Sequence, residues 1–172
     1  KELDVARELL ARLEALGLGA TMDDAGETFG GNAGNIRARL SGAPGIPTIV
    51  LCAHMDTIQS TKNLTHVQRD GIITSDGTTI LGGDDRSGLA IVLEVLHLLR
   101  EQNVTHGSIE VLFTVAEESG MHGAKYIKRS DFEAEFGFVF DCQASPGNYI
   151  VEAPGAVSFT AVVRGRSAHA AV

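Results

Sequence analysis

The sequence predicts an α/β protein with a doubly wound, mostly parallel sheet flanked by helices. Short apolar runs rich in Val, Ile and Phe are typical of strands that are buried on both faces. Amphipathic helical stretches alternate with these runs, and that alternation favours parallel strands joined by helices. Three of the apolar runs lead directly into side chains that can bind metal, and these runs are residues 48–53, 111–116 and 136–140.

The first third of the chain predicts one helix and two strands. Residues 3–16 place leucine and alanine at the three-to-four spacing of an amphipathic helix, which Gly17 is suited to end. The polar, glycine-rich residues 23–34 predict a loop. Residues 35–40 then predict a short edge strand, and the apolar residues 46–53 predict a central strand.

The middle of the chain predicts a hairpin and a long helix. Residues 57–70 have weak periodicity and predict a loop. Residues 72–74 and 78–81 flank Asp76-Gly77, a dipeptide that is typical of a tight hairpin turn. Residues 87–102 predict a helix, and acidic residues crowd its N-terminus, where the helix dipole favours them.

The last third predicts two further strands of the sheet, at residues 108–116 and 137–141, with a short helix at 124–128 between them. The pattern changes after Pro154, where apolar and polar residues begin to alternate. This alternation predicts a half-exposed antiparallel strand over residues 157–163.

We therefore predict a domain boundary near Pro154. Residues 1–154 form the first domain, and residues 155–172 begin a second domain that they are too few to complete.

Composition narrows the class of protein. The 172 residues carry a formal net charge of −8, from 14 basic and 22 acidic side chains, which disfavours nucleic acid or an anionic membrane as partner. No apolar run approaches the ~18 residues of a membrane span, and no signal pattern follows Lys1. Cys52 and Cys142 fall in or beside predicted buried strands, as free thiols of a reducing compartment do, so we expect a cytoplasmic location.

Side chains that bind metal follow the predicted strands. The carboxyl ends of parallel strands meet at one edge of a sheet, and ligands bind there. Six residues are expected to converge at this edge: His54, Asp56, Asp84, Glu117, Glu118 and Asp141. Carboxylates gathered around an imidazole have little structural use but can hold divalent cations.

The residues suggest a division of labour. His54 can bind metal through one ring nitrogen while Asp56 hydrogen-bonds the other. Glu117 and Glu118 point in different directions because strand side chains alternate, so one can bind metal and the other can act as a base. Asp84, in a tight glycine-rich turn, can bridge two cations, and metals ~3.5–4 Å apart can share a hydroxide and polarise a carbonyl.

Two alternatives stay open at this point. Cys52, His54 and Cys142 are a conceivable Cys-His-Cys zinc site, although neither cysteine belongs to a C-x-x-C pair. Asp85 is equally suited to orient the site and to cap the following helix.

The motifs at residues 53–57, 82–88 and 116–120 resemble, in order and spacing, those of the peptidase T-like branch of the di-zinc exopeptidases. The resemblance extends over essentially the whole chain. It implies that residues 1–154 are an incomplete catalytic domain and that residues 155–172 are the first strand of an α+β lid, or dimerisation, domain.

The resemblance also implies a role for each residue. His54 and Asp141 are terminal ligands of one metal, Asp84 bridges two metals, and Glu118 binds the other. Glu117 is the general base, and Asp56 orients His54 or tunes its metal. The metals are two Zn²⁺, with Co²⁺ or Mn²⁺ as alternatives. The Asp84–Asp85 peptide bond is expected to be cis, and His169 is expected to reach into a partner subunit's site.

The implied reaction is hydrolysis of an amide bond in a short peptide by a hydroxide that bridges two zinc ions, as in a tripeptide aminopeptidase. A carboxypeptidase or an N-acyl-amino-acid deacylase on the same scaffold is the alternative, and a homodimer formed through the lid is expected. The family has one more histidine ligand, which no residue of this sequence represents. A second alternative is therefore an inactive metal-binding fragment, and we expect the 172-residue chain alone to be weakly active or inactive.

Overall fold

The computed structural model describes residues 2–155 and 157–165, and these residues divide into two compact units, one that ends at Asp141 and one that begins at Cys142. Every helix and strand found among the described residues lies in the first unit. The helices are α1 (Glu2–Ala15), α2 (Gly83–Glu101) and α3 (His122–Tyr126), and two short 3₁₀ turns span Ala25–Phe29 and Arg129–Asp131.

The strands form one large and one small sheet. They are β1 (Thr21–Met22), β2 (Ile36–Leu40), β3 (Ile49–His54), β4 (His66–Arg69), β5 (Ile72–Ser75), β6 (Ile109–Thr114) and β7 (Phe136–Val139). The large sheet has the order β1-β2-β6-β3-β7, in which β3 pairs in parallel with both β6 and β7. The fold is α/β, with a mostly parallel central sheet flanked by helices, as predicted.

The core lies where α1 and α2 pack on the sheet. All six residues of β6 are buried because β6 lies between β2 and β3. The two helices bury residues at the three-to-four spacing that the sequence predicts, namely Ala6, Leu9 and Leu13 of α1 and Leu89, Val92 and Leu96 of α2. This packing holds the strands of the large sheet in place, and the candidate site lies at the carboxyl edge of that sheet.

The predicted edge position of residues 35–40 is wrong. Those residues form β2, but β2 pairs on both sides, antiparallel to β6 and to the two-residue strand β1. Sequence patterns do not predict β1 because two residues are too few to show a periodicity.

The predicted hairpin is displaced along the chain. Residues 57–70, expected to be a loop, contain β4, and β4 pairs with β5 across Asp70-Gly71. Asp70 and Gly71 have φ values of 51° and 76°, the positive pair that a tight hairpin turn requires. The Asp76 carboxylate instead accepts the backbone N–H and the hydroxyl of Thr78, and residues 78–81 form no strand.

The second unit is described only in part. The strand predicted over residues 157–163 is not formed by the described residues, and Val157 and Val163 are 92% and 93% exposed. A strand is stabilised by its neighbours in a sheet, and the alternating pattern alone does not supply one. His169 lies outside the described residues, and the boundary near Pro154 stays a prediction. None of the described helices is long and apolar enough to cross a membrane.

Candidate metal centre

Three predicted ligands meet at the carboxyl edge of the sheet. His54 ends β3, Asp141 follows β7, and Asp84 lies at the start of α2. The His54 Nε2 atom is 3.0 Å from Asp84 Oδ1 and 4.0 Å from Asp141 Oδ1. One potential ligand atom of each residue lies within 4.8 Å of the others.

Strand pairing accounts for this convergence. β3 and β7 are parallel neighbours, with Cys52 opposite Val139. The Phe140 N–H donates to the Cys52 carbonyl at 2.9 Å, so the pairing continues until both chains reach the sheet edge. His54 and Asp141 then follow on adjacent strands, as the strand-end argument predicts.

The imidazole of His54 is oriented by Asp56. His54 is 3% exposed, and its Nδ1 atom is 3.1 Å from the Asp56 carbonyl oxygen and 3.4 Å from Asp56 Oδ1. The other ring nitrogen, Nε2, therefore faces Asp84 and Asp141. Burial lowers the pKa of His54, but its hydrogen bonds with Asp56 and Asp84 outweigh burial and raise that pKa to about 9.

The Asp56 carboxylate also holds the two glutamates that follow β6. Its Oδ1 atom accepts the Glu117 N–H at 2.9 Å, and its Oδ2 atom accepts the Glu118 N–H at 3.0 Å. Burial acts to raise the pKa of Asp56, but the bonds from His54 and from these two N–H groups hold it below its ordinary value. Asp56 thus stays ionised while it connects the ends of β3 and β6.

Asp85 performs both tasks that the sequence left open. It is 2% exposed, and its carboxylate accepts the backbone N–H of His54 at 3.0 Å and that of Gly88 at 3.1 Å. Burial raises the pKa of Asp85 to about 6, although the bond from the His54 N–H opposes the rise. The Asp84–Asp85 peptide bond is cis, as the resemblance implies.

Glu117 and Asp141 lie in a crowded negative field. Burial raises the pKa of Glu117, the charge of His54 opposes this, and the carboxylates of Asp141 and Glu118 add to it. Burial likewise raises the pKa of Asp141, against His54 and together with Asp84. Glu118 lies close by, but its carboxylate is not part of the three-residue group that the described residues form.

The donor set fits a divalent cation. It offers one imidazole nitrogen and two carboxylate oxygens, which are ligand types that zinc accepts. A cation there would also offset the repulsion between Asp84 and Asp141.

The two cysteines are not part of this group of potential ligands within the described part of the chain. Burial, together with the charges of Asp85 and Asp141, raises the pKa of Cys52 to about 12, and Cys142 is exposed, contrary to expectation.

Sequence reasoning missed two residues that hold the Glu117 segment. Glu2 Oε1 accepts the Ala116 N–H at 2.9 Å, and Asn35 Oδ1 accepts the Val115 N–H at 3.2 Å. Neither belongs to a metal-binding motif. The only sequence signal for Asn35 is a polar residue directly before an apolar alternating strand, and that signal also fits an ordinary loop end.

A sequence profile of peptidase family M28 matches residues 35–152, which include every residue of this site. The chain belongs to peptidase family M28. Among its relatives is the Bacillus subtilis protein YqjE, which is 39% identical over 171 residues, covering 99% of this chain and 46% of that protein.

Two solved structures share the fold. Aminopeptidase PepT from Bacillus cereus has a TM-score of 0.80 and 38% identity, over 83% of this chain and 39% of that one. A tripeptidase from Staphylococcus aureus has a TM-score of 0.77 and 39% identity, over 81% of this chain and 38% of that one. This M28 family chain thus spans less than half the length of these relatives.

Proposed function

We propose that this chain forms the catalytic part of a metal-dependent aminopeptidase that removes the N-terminal residue of short peptides, with tripeptides as the substrate class. The observation that carries the proposal is the convergence of His54, Asp84 and Asp141 at the sheet edge, with Glu117 beside them. The likeness to an aminopeptidase and to a tripeptidase supports the substrate class.

The proposed cofactor is a pair of zinc ions. His54 and Asp141 would hold one ion, Glu118 would hold the other, and Asp84 would contact both. Bound zinc polarises a carbonyl group and lowers the pKa of water towards ~7. Asp56 would keep the His54 ring in position for its ion by hydrogen-bonding Nδ1.

Glu117 is the proposed general base. Its carboxylate would take a proton from the attacking water and deliver it to the nitrogen of the leaving amine as the C–N bond breaks. Two observations support this role. Burial and neighbouring carboxylates raise the pKa of Glu117, which makes it a better proton acceptor. Its backbone is also fixed by Asp56, so its position is defined before substrate binds.

The proposal extends to the assembly. Residues 155–172 would begin a lid domain through which two subunits pair, and His169 would contribute to the partner's site. The free thiol of Cys52 and the exposed Cys142 fit a cytoplasmic enzyme.

The test is metal analysis of the intact protein combined with hydrolysis assays. We expect about two zinc ions per chain and release of the N-terminal residue from a tripeptide. An N-acetylated tripeptide is the matched control, because an aminopeptidase requires a free N-terminal amine.

Other outcomes would redirect the proposal. Release of the C-terminal residue would favour a carboxypeptidase, and cleavage of an acyl-amino acid alone would favour a deacylase. Full zinc occupancy without hydrolysis of any of these substrates would contradict the proposal and favour a metal-binding protein without this activity.

A further inference from the structure

The segment that carries Glu117 is held by its backbone. Four consecutive N–H groups, those of residues 115–118, each donate to a side-chain oxygen. The acceptors belong to Asn35, Glu2 and Asp56, which come from three distant parts of the chain. A segment fixed in this way has little freedom to shift along the strand axis.

Asn35 contributes more to this arrangement than one acceptor. Its side chain is fully buried, and its Nδ2 atom donates to Asp23 Oδ2 at 3.0 Å and to the Gly123 carbonyl at 3.1 Å. Its Oδ1 atom accepts the Val115 N–H at 3.2 Å. Both ends of the amide are therefore engaged, which fixes the orientation of the side chain.

Val115 and Gly123 form the neck of a closed loop. The Gly123 N–H donates to the Val115 carbonyl and the His122 N–H donates to the Ala116 carbonyl, each at 3.0 Å. A Cβ atom at Gly123 would lie 2.3 Å from Asn35 Oδ1, so the close approach requires glycine. Asn35 bridges the two sides of this neck, and Glu117 and Glu118 lie within the loop that the neck closes.

We propose that Asn35 is a positioning residue that clamps the neck of this loop and thereby sets where the Glu117 carboxylate lies. Asparagine is suited to the task because one amide supplies the acceptor for Val115 and the donor for Gly123. Aspartate has the same shape but only acceptors. The catalytic consequence rests on the proposed role of Glu117, whereas the ordering of the loop does not.

The test uses three variants of the intact protein. Asn35→Asp keeps the acceptor for Val115 but removes the donors to Asp23 and Gly123. The double variant Asp23→Asn/Asn35→Asp exchanges the two side chains, which restores the contact between them but leaves the Gly123 carbonyl facing a carboxylate. Asn32→Asp is the matched control, because Asn32 is an exposed asparagine that lies close before Asn35 in the sequence.

The first readout is hydrogen exchange in the metal-free protein. In Asn35→Asp and in the double variant, the amides of Met121, His122 and Gly123 are expected to exchange about tenfold faster, the factor that corresponds to one net hydrogen bond. The core amides of α2 report global stability; they are expected to exchange faster in Asn35→Asp and to return to the unsubstituted rate in the double variant. Asn32→Asp is expected to match the exchange rates of the unsubstituted protein throughout.

The second readout is steady-state kinetics with zinc bound. A displaced base lowers kcat per folded, zinc-loaded molecule while KM stays within about twofold, whereas general unfolding lowers the folded fraction and leaves kcat per folded molecule unchanged. Loop exchange equal to that of the unsubstituted protein in Asn35→Asp would overturn the proposal. Recovery of both loop exchange and kcat in the double variant would also overturn it. If the unsubstituted protein hydrolyses no peptide, the proposed function fails, and the exchange data still decide the role of Asn35.

Discussion

At the scale of single residues, the carboxylates of the site fall into two groups that differ in their contacts. Asp56 and Asp85 accept backbone N–H groups and hold other residues in place. Asp84 and Asp141 instead face the Nε2 atom of the His54 ring. The same residue type thus serves two purposes, and the difference lies in whether protein donors already satisfy its oxygens.

Glu117 provides the most direct test at this scale. The variant Glu117→Gln keeps the shape of the side chain but removes its basicity, so we expect kcat to fall about 10²–10⁴-fold while zinc is retained. Steady-state kinetics with metal analysis measures both. Glu101→Gln, an exposed acid at the end of α2, is the control. Unchanged turnover would remove Glu117 as the base.

His54 makes the metal-free protein sensitive to pH. Its pKa of about 9 lies above the ordinary 6.5, so the folded state holds the proton more tightly than the unfolded state. This contribution to stability is fully present below about pH 6.5 and is lost as the pH rises through about 9. Denaturation of the metal-free protein across this range should show the loss.

The same proton competes with metal. The proposed zinc ion would bind the neutral ring, so its binding near neutral pH would release a proton from His54. We expect zinc affinity to rise as the pH rises towards 9, and calorimetry in buffers of different ionisation enthalpy would count the protons released. An affinity independent of pH would contradict the assignment of His54 as a ligand.

At the scale of elements, the first turn of α2 is shaped by its neighbours. Gly88 lies so close to Asp85 and to the chain before Asp141 that a Cβ atom would be 2.3 Å from Asp85 Oδ1 and 2.6 Å from the Phe140 carbonyl oxygen. The helix therefore approaches the end of β7 closely. Its Asp85 carboxylate accepts the backbone N–H of His54 at the end of β3, which places Asp84 beside His54. Glycine here serves close packing, not an unusual backbone angle.

Gly88→Ala should disturb both stability and metal binding. The added methyl group must push Asp85 or the residues before Asp141 away, at a cost of about 1–3 kcal/mol in the free energy of unfolding. Zinc affinity should fall in the same variant because Asp141 moves with the displaced chain.

Gly83→Ala is the matched control, since Gly83 lies at the start of the same helix and an added methyl group there would have no atom within 4 Å. Denaturant unfolding and zinc titration of the two variants provide the comparison. Equal effects of the two substitutions would show that the close approach at Gly88 is unimportant.

At the scale of the whole molecule, stability depends on the interior strands of the large sheet. Phe113 of β6 is fully buried, whereas Phe138 of β7 is 50% exposed. We expect Phe113→Ala to lower the free energy of unfolding of the 172-residue chain by ~3–5 kcal/mol. Phe138→Ala should cost only ~1 kcal/mol. Equal losses in chemical denaturation would contradict this picture of the core.

Much of this molecule follows from local patterns. The periodicity of α1 and α2 and the apolar runs of β3, β6 and β7 are sufficient to place those elements within a few residues. The hairpin is displaced from its predicted position because the chain contains two Asp-Gly dipeptides, at Asp70 and at Asp76. The local sequence pattern does not show which of the two turns joins a pair of hydrogen-bonded strands.

Local sequence is enough to specify which residues end the strands, and therefore that His54 and Asp141 meet, because parallel strands present their carboxyl ends at one edge. How Glu117 is held depends on the folded chain. Its segment is fixed by Glu2, Asn35 and Asp56, which are 114, 80 and 61 residues from the groups they bind. Periodicity shows which face of an element is buried, but a hydrogen bond depends on distance and direction, and these exist only once the chain has folded.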